Sequence, residues 1–516
     1  MRKTRILFLI ATLILFTNTF CACAKQTGPY FNIKDYGAIA DGNMLCTKAI
    51  QKAVDQCAKS GGKVIIPSGK YLTGPIFLKS NIHVEILTGA TLLGSTNICD
   101  YPPVDGRWEG IEQKIHASMF TGHNLENITI SGQGILNGQG QVWWEADRKT
   151  RQVRKAHGIT GREPSNPPEA PLKWPRPRVI NLYRCKNVLI RDITILDSPS
   201  WTIHPVYCEN VTVDNVKITA PFESPNTDGV NPDSCKNVRI SNCLIDTGDD
   251  CITLKSGYNQ DGRRVGIPCE NITITNCIFA SKWGGVVIGS EMSGDVRNVT
   301  VSNCIFDGTS YGLRFKTSRG RGGIVENIRV SNIVMRNIKG IALGITGFYD
   351  RDQTESIPPV TVATPTIRNI FWRDISIIGA NKAAVISGLP EMPFENINLS
   401  DIHVVSAKTG MEFSTANGLT LDNVVVNAEK GPALSITNTR DVEMYRFATH
   451  KPNKDTPVVV FEDVTGALVQ NCKAVENTDT FLGLKGDKNT DIEMRLNRLS
   501  KAAKQMEKMI LKKEKE

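Results

Sequence analysis

One phrase decides the fold: Glu209-Asn210-Val211-Thr212-Val213 returns as Lys236-Asn237-Val238-Arg239-Ile240 and again as Glu270-Asn271-Ile272-Thr273-Ile274. Within each copy apolar and polar residues alternate, and the β-branched residues that favour strands dominate. Successive copies lie mostly 22 to 29 residues apart, and longer gaps leave room for inserted loops. The other copies centre on Asn127, Asn187, Asn298 and Asn327 and, in more altered form, on Asn369, Asn396, Gly418, Asp441 and Gly466. A repeat of this length predicts a stack of coils.

The period favours a parallel β-helix over a β-propeller, whose blades need about 40 to 45 residues and four strands. A recurring Asn fits a coil, because Asn adopts a left-handed turn and its amide can bond the same position of the next coil. We therefore predict an all-β fold, a single-stranded parallel β-helix or solenoid. The segment from Cys46 to Ser60 is predicted to be an amphipathic helix that caps the first coil. Residues 489–516 are predicted to form a charged helical tail, either a second cap or a mobile extension.

The first residues are typical of an export signal. A basic start precedes an apolar run from Ile6 to Phe16 and the small residues Ala22-Cys23-Ala24, which suit signal peptidase. We therefore expect an exported protein, in the periplasm, outside the cell or on its surface, and Cys21 and Cys23 leave a lipid anchor open. No later segment is apolar enough to span a membrane. The predicted units are a signal peptide over 1–24, a β-helix domain over 25–488 with its cap within 25–100, and the tail over 489–516.

The net charge is +9, which is modest for 516 residues. A nucleic-acid-binding protein more often shows a basic stripe with interleaved aromatic residues, and the sequence has none, so we expect no nucleic-acid partner. The surplus of positive charge fits an acidic polymer weakly and a solvated surface equally well.

Seven cysteines occur at repeated places in the coils. One group precedes the landmark Asn by two residues and the other directly follows an Asn; the two groups are Cys185, Cys208, Cys235 and Cys269, and Cys243, Cys277 and Cys304. Such positions predict columns of small buried residues, because a free cysteine packs as a compact hydrophobe. Disulfides are the alternative, and the lack of any Cys-x-x-Cys pair argues against a metal site.

Two short polar motifs carry three carboxylates: Asn226-Thr227-Asp228-Gly229 and Gly248-Asp249-Asp250. Asp249 and Asp250 follow Asp228 by 21 and 22 residues, close to one coil, so all three should lie in one groove on rungs about 4.8 Å apart. Like charges at short range cannot all ionise, so the group can divide into a proton donor and a proton acceptor. An acid and a base on either side of a sugar bond are what glycoside hydrolysis requires.

The following coils place Trp283, Arg314 and Lys316 at nearly the same angular position. Arg314 and Lys316 stand two apart on a predicted strand, so they point the same way. Two cations beside three acids favour a subsite for a substrate carboxylate, which a guanidinium binds bidentately and an ammonium binds as a point charge. The alternatives are a solvated Gly-Asp-Asp turn, an outward-facing Arg-x-Lys pair and calcium binding by the acids.

These motifs, with Arg314-Phe315-Lys316, resemble in order and spacing the signature of the polygalacturonases of glycoside hydrolase family 28. The resemblance extends over roughly residues 30 to 480 and includes the phrases Asp35-Tyr36-Gly37-Ala38, Ile288-Gly289-Ser290-Glu291-Met292-Ser293-Gly294 and Arg319-Gly320-Arg321-Gly322-Gly323. It implies a right-handed parallel β-helix, hydrolysis with inversion, no metal or other cofactor, and an acidic plant polysaccharide or oligosaccharide as the partner.

The resemblance also implies a role for each site residue. Asp249 would be the general acid, and Asp228 and Asp250 would hold and deprotonate the attacking water. Asn226 would orient groups around the site, and Arg314 with Lys316 would bind a uronate carboxylate. Carboxylates on adjacent rungs are expected about 6.5 to 9.5 Å apart, the room that an inverting enzyme leaves for water.

One departure concerns a histidine. The family usually has a Gly-His-Gly motif where this chain has Lys282-Trp283-Gly284-Gly285. We predict that the Trp283 indole binds substrate by stacking on a sugar face. The alternatives are plain packing of Trp283, a shifted pH optimum and loss of activity.

The sequence therefore predicts an inverting hydrolase of α-linked galacturonate in homogalacturonan, or in rhamnogalacturonan or substituted pectin. Exo action is favoured over endo action, because inserts around Trp143, Trp144 and Trp174, and between Gly257 and Cys269, can close the groove. The long insert from Gln139 to Pro177 is predicted to be a loop that borders it. We expect a monomer. The alternative functions are a pectate-lyase-like enzyme and a catalytically silent glycan-binding protein.

Overall fold

The computed structural model describes residues 29–162, 166–350 and 357–509. Its helices are α1 (Thr47–Ser60), α2 (Gln141–Ala156) and α3 (Asn259–Val265), with short 3-10 turns at Ile33–Tyr36 and Ile98–Asp100. All other regular elements of this part of the chain are strands.

The strands follow one another in coils along the whole chain. The first are β1 (Tyr30–Asn32), β2 (Asp41–Leu45), β3 (Gly62–Ile66), β4 (Gly69–Thr73), β5 (Ile76–Phe77), β6 (Ile82–Ile86), β7 (Ala90–Gly94), β8 (Pro103–Trp108), β9 (Ile111–His116), β10 (Phe120–His123), β11 (Glu126–Gly132) and β12 (Ile135–Asn137). The central ones are β13 (Ile180–Tyr183), β14 (Lys186–Arg191), β15 (Thr194–Leu196), β16 (Ile203–Val206), β17 (Glu209–Asp214), β18 (Lys217–Thr219), β19 (Lys236–Ser241), β20 (Leu244–Thr247), β21 (Ile252–Leu254), β22 (Cys269–Thr275), β23 (Ile278–Ser281), β24 (Gly284–Gly289), β25 (Val296–Asp307) and β26 (Tyr311–Lys316). The last are β27 (Ile324–Thr346), β28 (Thr366–Ser387), β29 (Phe394–Ser414), β30 (Ala416–Thr437), β31 (Arg440–Tyr445), β32 (Val459–Glu462), β33 (Thr465–Gln470), β34 (Thr478–Lys485), β35 (Thr490–Arg495) and β36 (Ala502–Met509).

Each landmark phrase pairs in parallel with the same phrase of the next coil. Val188 pairs with Val211, Val211 with Val238, and Val238 with Ile272, and all four side chains are buried inside the coil. Among the named strands the antiparallel hairpin β8–β9 is the exception. The predicted all-β parallel β-helix is thus confirmed, with its core running along the axis of the stack.

The landmark asparagines form a ladder on the outside of the stack. Asn210 and Asn237 both have a left-handed backbone with φ 58°. The Nδ2 of Asn237 donates to the Oδ1 of Asn210 at 3.0 Å, and Asn210 donates to Asn187 at 3.1 Å. The same contact continues without a break from Asn81 to Asn396. The ladder aligns one residue of each coil with the same residue of the next. The number of residues after the landmark asparagine therefore determines where on the surface of the stack a side chain lies.

The front of the stack carries the predicted cap. Helix α1 buries Ile50, Ala53, Val54 and Cys57 in the core that continues into the first coil. Burying these residues covers the apolar end of the solenoid and protects it from edge pairing.

The helical tail predicted for residues 489–516 is wrong for the part that the structure describes. Residues 490–495 and 502–509 are the strands β35 and β36, which pair in parallel with β33 and β34. Their lysines and glutamates favour a helix, but Ile492 and Met494 alternate with charged residues and continue the inner columns of Ala467 and Val469. The coils therefore continue past the predicted boundary at 488. The predicted signal peptide lies outside the described residues.

The insert predicted as a loop between Gln139 and Pro177 instead contains α2. Trp143 on this helix is fully buried and packs with Tyr101 and Leu172 in a second small apolar cluster. That cluster holds the insert firmly against the stack. No helix in the described ranges is long and apolar enough to cross a membrane.

The cysteine columns follow the prediction. All cysteines of residues 29–162, 166–350 and 357–509 are free thiols, and the seven at repeated positions are buried. The pKa of the Cys208 thiol is raised well above its ordinary value by burial and by its contacts with Cys185 and Cys235 in the neighbouring coils. These seven thiols pack as small apolar groups in the core and form no disulfides with the described cysteines.

Candidate active site

The three aspartates meet on neighbouring rungs of the stack. Asp228 lies in the segment between β18 and β19, and Asp249 and Asp250 lie between β20 and β21. The N–H of Gly229 donates to the carbonyl of Asp250 at 3.0 Å, which fixes the two turns side by side. Carboxylate oxygens of the three acids lie within 4.8 Å of one another. This limit applies to one oxygen of each acid, and it shows that the three carboxyl groups share one cluster.

Asp250 is held as an anion. Its Oδ2 accepts from the Nζ of Lys316 at 3.0 Å, and its Oδ1 accepts from the N–H of Gly284 at 2.8 Å. Burial raises the pKa of Asp250, but the charges of Lys316 and Arg314 outweigh burial, so the pKa lies below its ordinary value.

Asp249 and Asp228 are held closer to their protonated forms. Burial, followed by repulsion from Asp250, raises the pKa of Asp249 to about 6. Burial and the charge of Asp249 raise the pKa of Asp228 well above its ordinary value. The Oδ2 of Asp228 accepts from Asn231 at 3.0 Å, whereas its buried Oδ1 has no hydrogen-bond partner among the described residues. The site thus separates a carboxylate whose pKa is lowered from two whose pKa values are raised, which provides for acid and base chemistry in one place.

The two predicted cations have different surroundings. Lys316 is 8 % exposed and is committed to Asp250. The guanidinium of Arg314 lies 3.9 Å from the ring centroid of Tyr311 and 5.4 Å from that of Tyr349. In the described part of the chain no carboxylate forms an ion pair with Arg314, so its charge is available to a ligand.

Trp283 lines the same cleft and is 41 % exposed. Its backbone N–H donates to the Oγ of Ser281 at 2.8 Å, and that hydroxyl donates to the carbonyl of Asp249 at 2.7 Å. The backbone of Trp283 is therefore fixed relative to the acid turn, while a large part of the residue's surface stays open. The nearby aromatic residues Tyr311, Phe348 and Tyr349 also line the cleft, and the sequence analysis did not single them out.

Two arginines of the insert bond to Asn226, which lines the cleft. The Oδ1 of Asn226 accepts from the Nη2 of Arg151 at 2.7 Å and from the Nη2 of Arg176 at 2.6 Å. Arg176 also donates to the carbonyl of Pro225 at 2.8 Å, and burial lowers its pKa to about 10. Neither arginine could be assigned to the site from the sequence, because only the fold brings the insert to this coil.

The cleft has a volume of about 850 Å³. One wall is formed by an ion pair between Lys282 and Glu223. The residues that line the cleft include Arg151, Asn226, Asp249, Asp250, Trp283, Arg314 and Lys316. Every site residue predicted from the sequence except Asp228 lines this cleft, and Asp228 is buried directly beside it against the other two acids.

The three carboxylates are also the one cluster of potential metal ligands among the described residues. The ammonium group of Lys316 already neutralises Asp250, and burial raises the pKa of the other two acids, so both bind a proton more readily than a free aspartate does. Lys316 and protons therefore compete with a cation for the same oxygens.

Comparison with known proteins agrees with this geometry. The sequence profile of Glycosyl hydrolases family 28 matches residues 57–421. A probable polygalacturonase of Vitis vinifera is 35% identical over 384 residues, which are 72% of this chain and 74% of the relative. An exo-poly-alpha-D-galacturonosidase of Dickeya chrysanthemi is 29% identical over 450 residues, which are 79% of this chain and 73% of the relative. The crystal structure of an exopolygalacturonase from Thermotoga maritima is 34% identical with a TM-score of 0.65, covering 76% of this chain and 88% of that one. From the profile, the relatives and the shared fold, we conclude that this chain belongs to glycosyl hydrolases family 28.

Proposed function

We propose that this protein hydrolyses α-linked galacturonate at the ends of pectin chains, with inversion at the anomeric carbon. The observation that carries the proposal is the division of the three acids into one ion-paired anion and two carboxyl groups with raised pKa values, beside Arg314, which forms no ion pair with the described residues. The polygalacturonase names of the relatives support the same substrate class. Export, as predicted from residues 1–24, would bring the enzyme to this extracellular polymer.

In the proposed reaction Asp249 donates its proton to the glycosidic oxygen as the bond to the anomeric carbon breaks. Asp250 accepts a proton from a water molecule, whose oxygen bonds to the same carbon from the opposite face. Asp228 would help Asp250 to hold that water in position. The balance is one water consumed and one new reducing end formed for each bond cleaved.

The short spacing of the acids also occurs in enzymes that form a covalent intermediate. The surroundings of the acids favour water as the nucleophile instead. Both oxygens of Asp250 already accept hydrogen bonds, from Lys316 and from Gly284. Asp228 has a raised pKa, and a protonated carboxyl group is a poor nucleophile. We therefore propose direct displacement by water, as the family resemblance implies.

Arg314 is the proposed ligand of the substrate carboxylate. Its guanidinium is oriented by Tyr311 and Tyr349, so its donors are held in place before substrate arrives. The open face of Trp283 is proposed to stack against a sugar ring in the same cleft.

Exo action is proposed from the end of the cleft at Asn226. Arg151 and Arg176 of the insert both bond to this residue, and α2 is held by the buried Trp143. A polymer passing through the cleft would have to displace these contacts, whereas a chain end can stop against them.

The function is tested by product analysis. Purified protein is incubated with homogalacturonan and, separately, with rhamnogalacturonan, and the products are separated by size. We expect saturated mono- or digalacturonate from homogalacturonan from the first minutes, and proton NMR should show the β-anomer of the product first. Unsaturated products that absorb in the ultraviolet would establish a lyase, and binding without new reducing ends would establish a silent glycan-binding protein.

The pH dependence follows from the two acids with opposite pKa shifts. Activity requires Asp250 ionised and Asp249 protonated. Since the pKa of Asp249 is raised to about 6, kcat/KM should fall above about pH 6 by tenfold per pH unit. Since the pKa of Asp250 is lowered from its ordinary 3.8, the acidic limb should lie below pH 4. Rates measured from pH 3 to pH 9 check this, and an optimum near pH 8 would contradict the assigned roles.

A further inference from the structure

A buried chain of charges lies beneath the acid trio and is used by no step described above. The Nζ of Lys255 contacts the Oε2 of Glu291 at 2.8 Å, and the Oε1 of Glu291 accepts from the Nη1 of Arg162 at 2.5 Å. Lys255 is 5 % exposed and Glu291 is 4 % exposed. Burying charged groups is unfavourable unless they are paired, so a triad of this kind in the floor of a cleft calls for a role.

The position of Lys255 is close to the acids. It directly follows β21, the strand that begins two residues after Asp250, and Thr253 on that strand contacts the Oδ2 of Asp228 at 3.4 Å. Its ammonium lies 4.8 Å from the ring centroid of Trp201, so one side of it is closed by an aromatic face. Lys316 neutralises Asp250, and Lys255 is a second buried lysine, whose own ion-pair partner is Glu291.

The other groups that face Asp228 do not substitute for Lys255. Asn231 and Thr253 are neutral. Asp249 and Asp250 are acids as well, and in their ionised forms they raise the pKa of Asp228. Arg178, from an earlier coil, is a second buried cation near Asp228, but it has no ion-pair partner like Glu291 among the described residues, and its guanidinium donates to the backbone carbonyls of Arg176 and Arg107. Asp233 and His204 lie on the same floor, where Asp233 is paired with Arg107 at 2.8 Å.

Resting on the function proposed above, we propose that Lys255 is a positioning residue that supplies the acid trio with a fixed positive charge from below, and that Glu291 holds it there. Arg162 belongs to the insert, so the segment that ends the cleft also fixes Glu291. The direction of the Lys255 contribution is the same for all three acids, because its charge lowers the pKa of Asp228, Asp249 and Asp250.

The test uses two substitutions with opposite expected results. Lys255→Met removes the positive charge, so the acids hold protons more strongly and both limbs of the kcat/KM profile move up, by about half a pH unit or more. Glu291→Gln removes the opposing negative charge, so both limbs move down. The double variant Lys255→Met/Glu291→Gln should return the profile close to that of the wild type. Lower rates in all three variants with unmoved limbs would show a structural role only and overturn the proposal.

A matched control comes from a pair far from the cleft. Lys63 and Glu85 form an inter-coil ion pair at 3.2 Å between β3 and β6, and Lys63→Met should leave the pH profile unmoved. If this control moved the profile as far as Lys255→Met does, the shift would reflect net charge alone and the proposal would be wrong.

A second measurement needs no substrate, so its result does not depend on the proposed function. The pKa of Asp228 is raised on folding, so its contribution to stability is lost as the pH rises above its ordinary 3.8. Lys255→Met should deepen this loss, which makes the decrease in Tm larger at pH 7 than at pH 4. The same Tm comparison is made for Lys255→Met in a protein that also carries Asp228→Asn. There the part of the difference between pH 7 and pH 4 that Asp228 causes should disappear. A difference that is unchanged in that background would show that the charge of Lys255 does not act on Asp228, and it would overturn the proposal even in an active enzyme.

Discussion

Asp249→Asn should reduce kcat on homogalacturonan by about 10³-fold or more, because the amide has no proton to give to the leaving oxygen. The substitution is nearly isosteric, and Asp249 contributes to the fold mainly through its backbone carbonyl, which Thr247 and Ser281 bond at 2.8 and 2.7 Å. Tm and the dissociation constant for oligogalacturonate should therefore change little. Initial rates measured by reducing-end release, with calorimetric titration of the inactive variant, check both parts.

The matched control is Asp246→Asn, three residues earlier in the same coil. Asp246 points outward from β20 and does not line the cleft. Its replacement should leave kcat within about twofold of the wild type, as for most surface substitutions. Turnover by Asp249→Asn at the rate of this control would remove Asp249 from the mechanism.

Lys316→Met should damage both stability and activity, because it leaves the buried Asp250 without its ion-pair partner at 3.0 Å. Breaking a buried pair from one side typically costs about 3 to 5 kcal/mol. The pKa of Asp250 is lowered in the folded protein, so its contribution to stability is present at neutral pH and lost as the pH falls. Without Lys316 the burial of Asp250 acts to raise its pKa above the ordinary 3.8, so the variant loses further stability as the pH rises and the decrease in Tm should be larger at pH 7 than at pH 4. Activity should fall by about 10²-fold or more, since the base becomes harder to ionise.

Arg314→Met is the informative partner of that substitution. Arg314 has no ion pair with the described residues, so its loss should leave Tm nearly unchanged. It should raise KM for polygalacturonate by about tenfold or more, and much less for the methyl-esterified polymer, which carries no carboxylate to bind. Lys316→Met should impair both substrates alike. Equal loss on the two substrates in Arg314→Met would contradict its role as the carboxylate ligand.

The fold could be predicted because one residue per coil reports its phase. Once Asn210, Asn237 and Asn271 are aligned, the positions of the acids and of Arg314 follow by counting along each coil. The charged end of the chain was predicted wrongly, because Lys and Glu favour a helix locally, whereas pairing with β33 and β34 decides the structure. Intrinsic propensity of this kind is weak compared with an available strand edge.

The closing of the cleft could not be predicted in the same way. Arg151 and Arg176 lie 75 and 50 residues from Asn226 in the chain, in an insert that follows no repeat. The different tasks of Arg314 and Lys316 were also invisible, since two residues on the same face of a strand look equivalent in sequence. Only the distance from each side chain to Asp250 distinguishes them.

The unbroken line of amide contacts from Asn81 to Asn396 bears on how the molecule comes apart. In a solenoid each rung touches only its two neighbours, so unwinding starts at the termini and spreads inward rung by rung. After Asn396 the landmark positions hold glycine and aspartate. We therefore expect the coils that follow Asn396 to unfold locally before the others. The coils that carry Asp228, Asp249 and Asp250 lie well inside the asparagine ladder. Local unfolding at either end of the stack should therefore leave the geometry of the three acids unchanged.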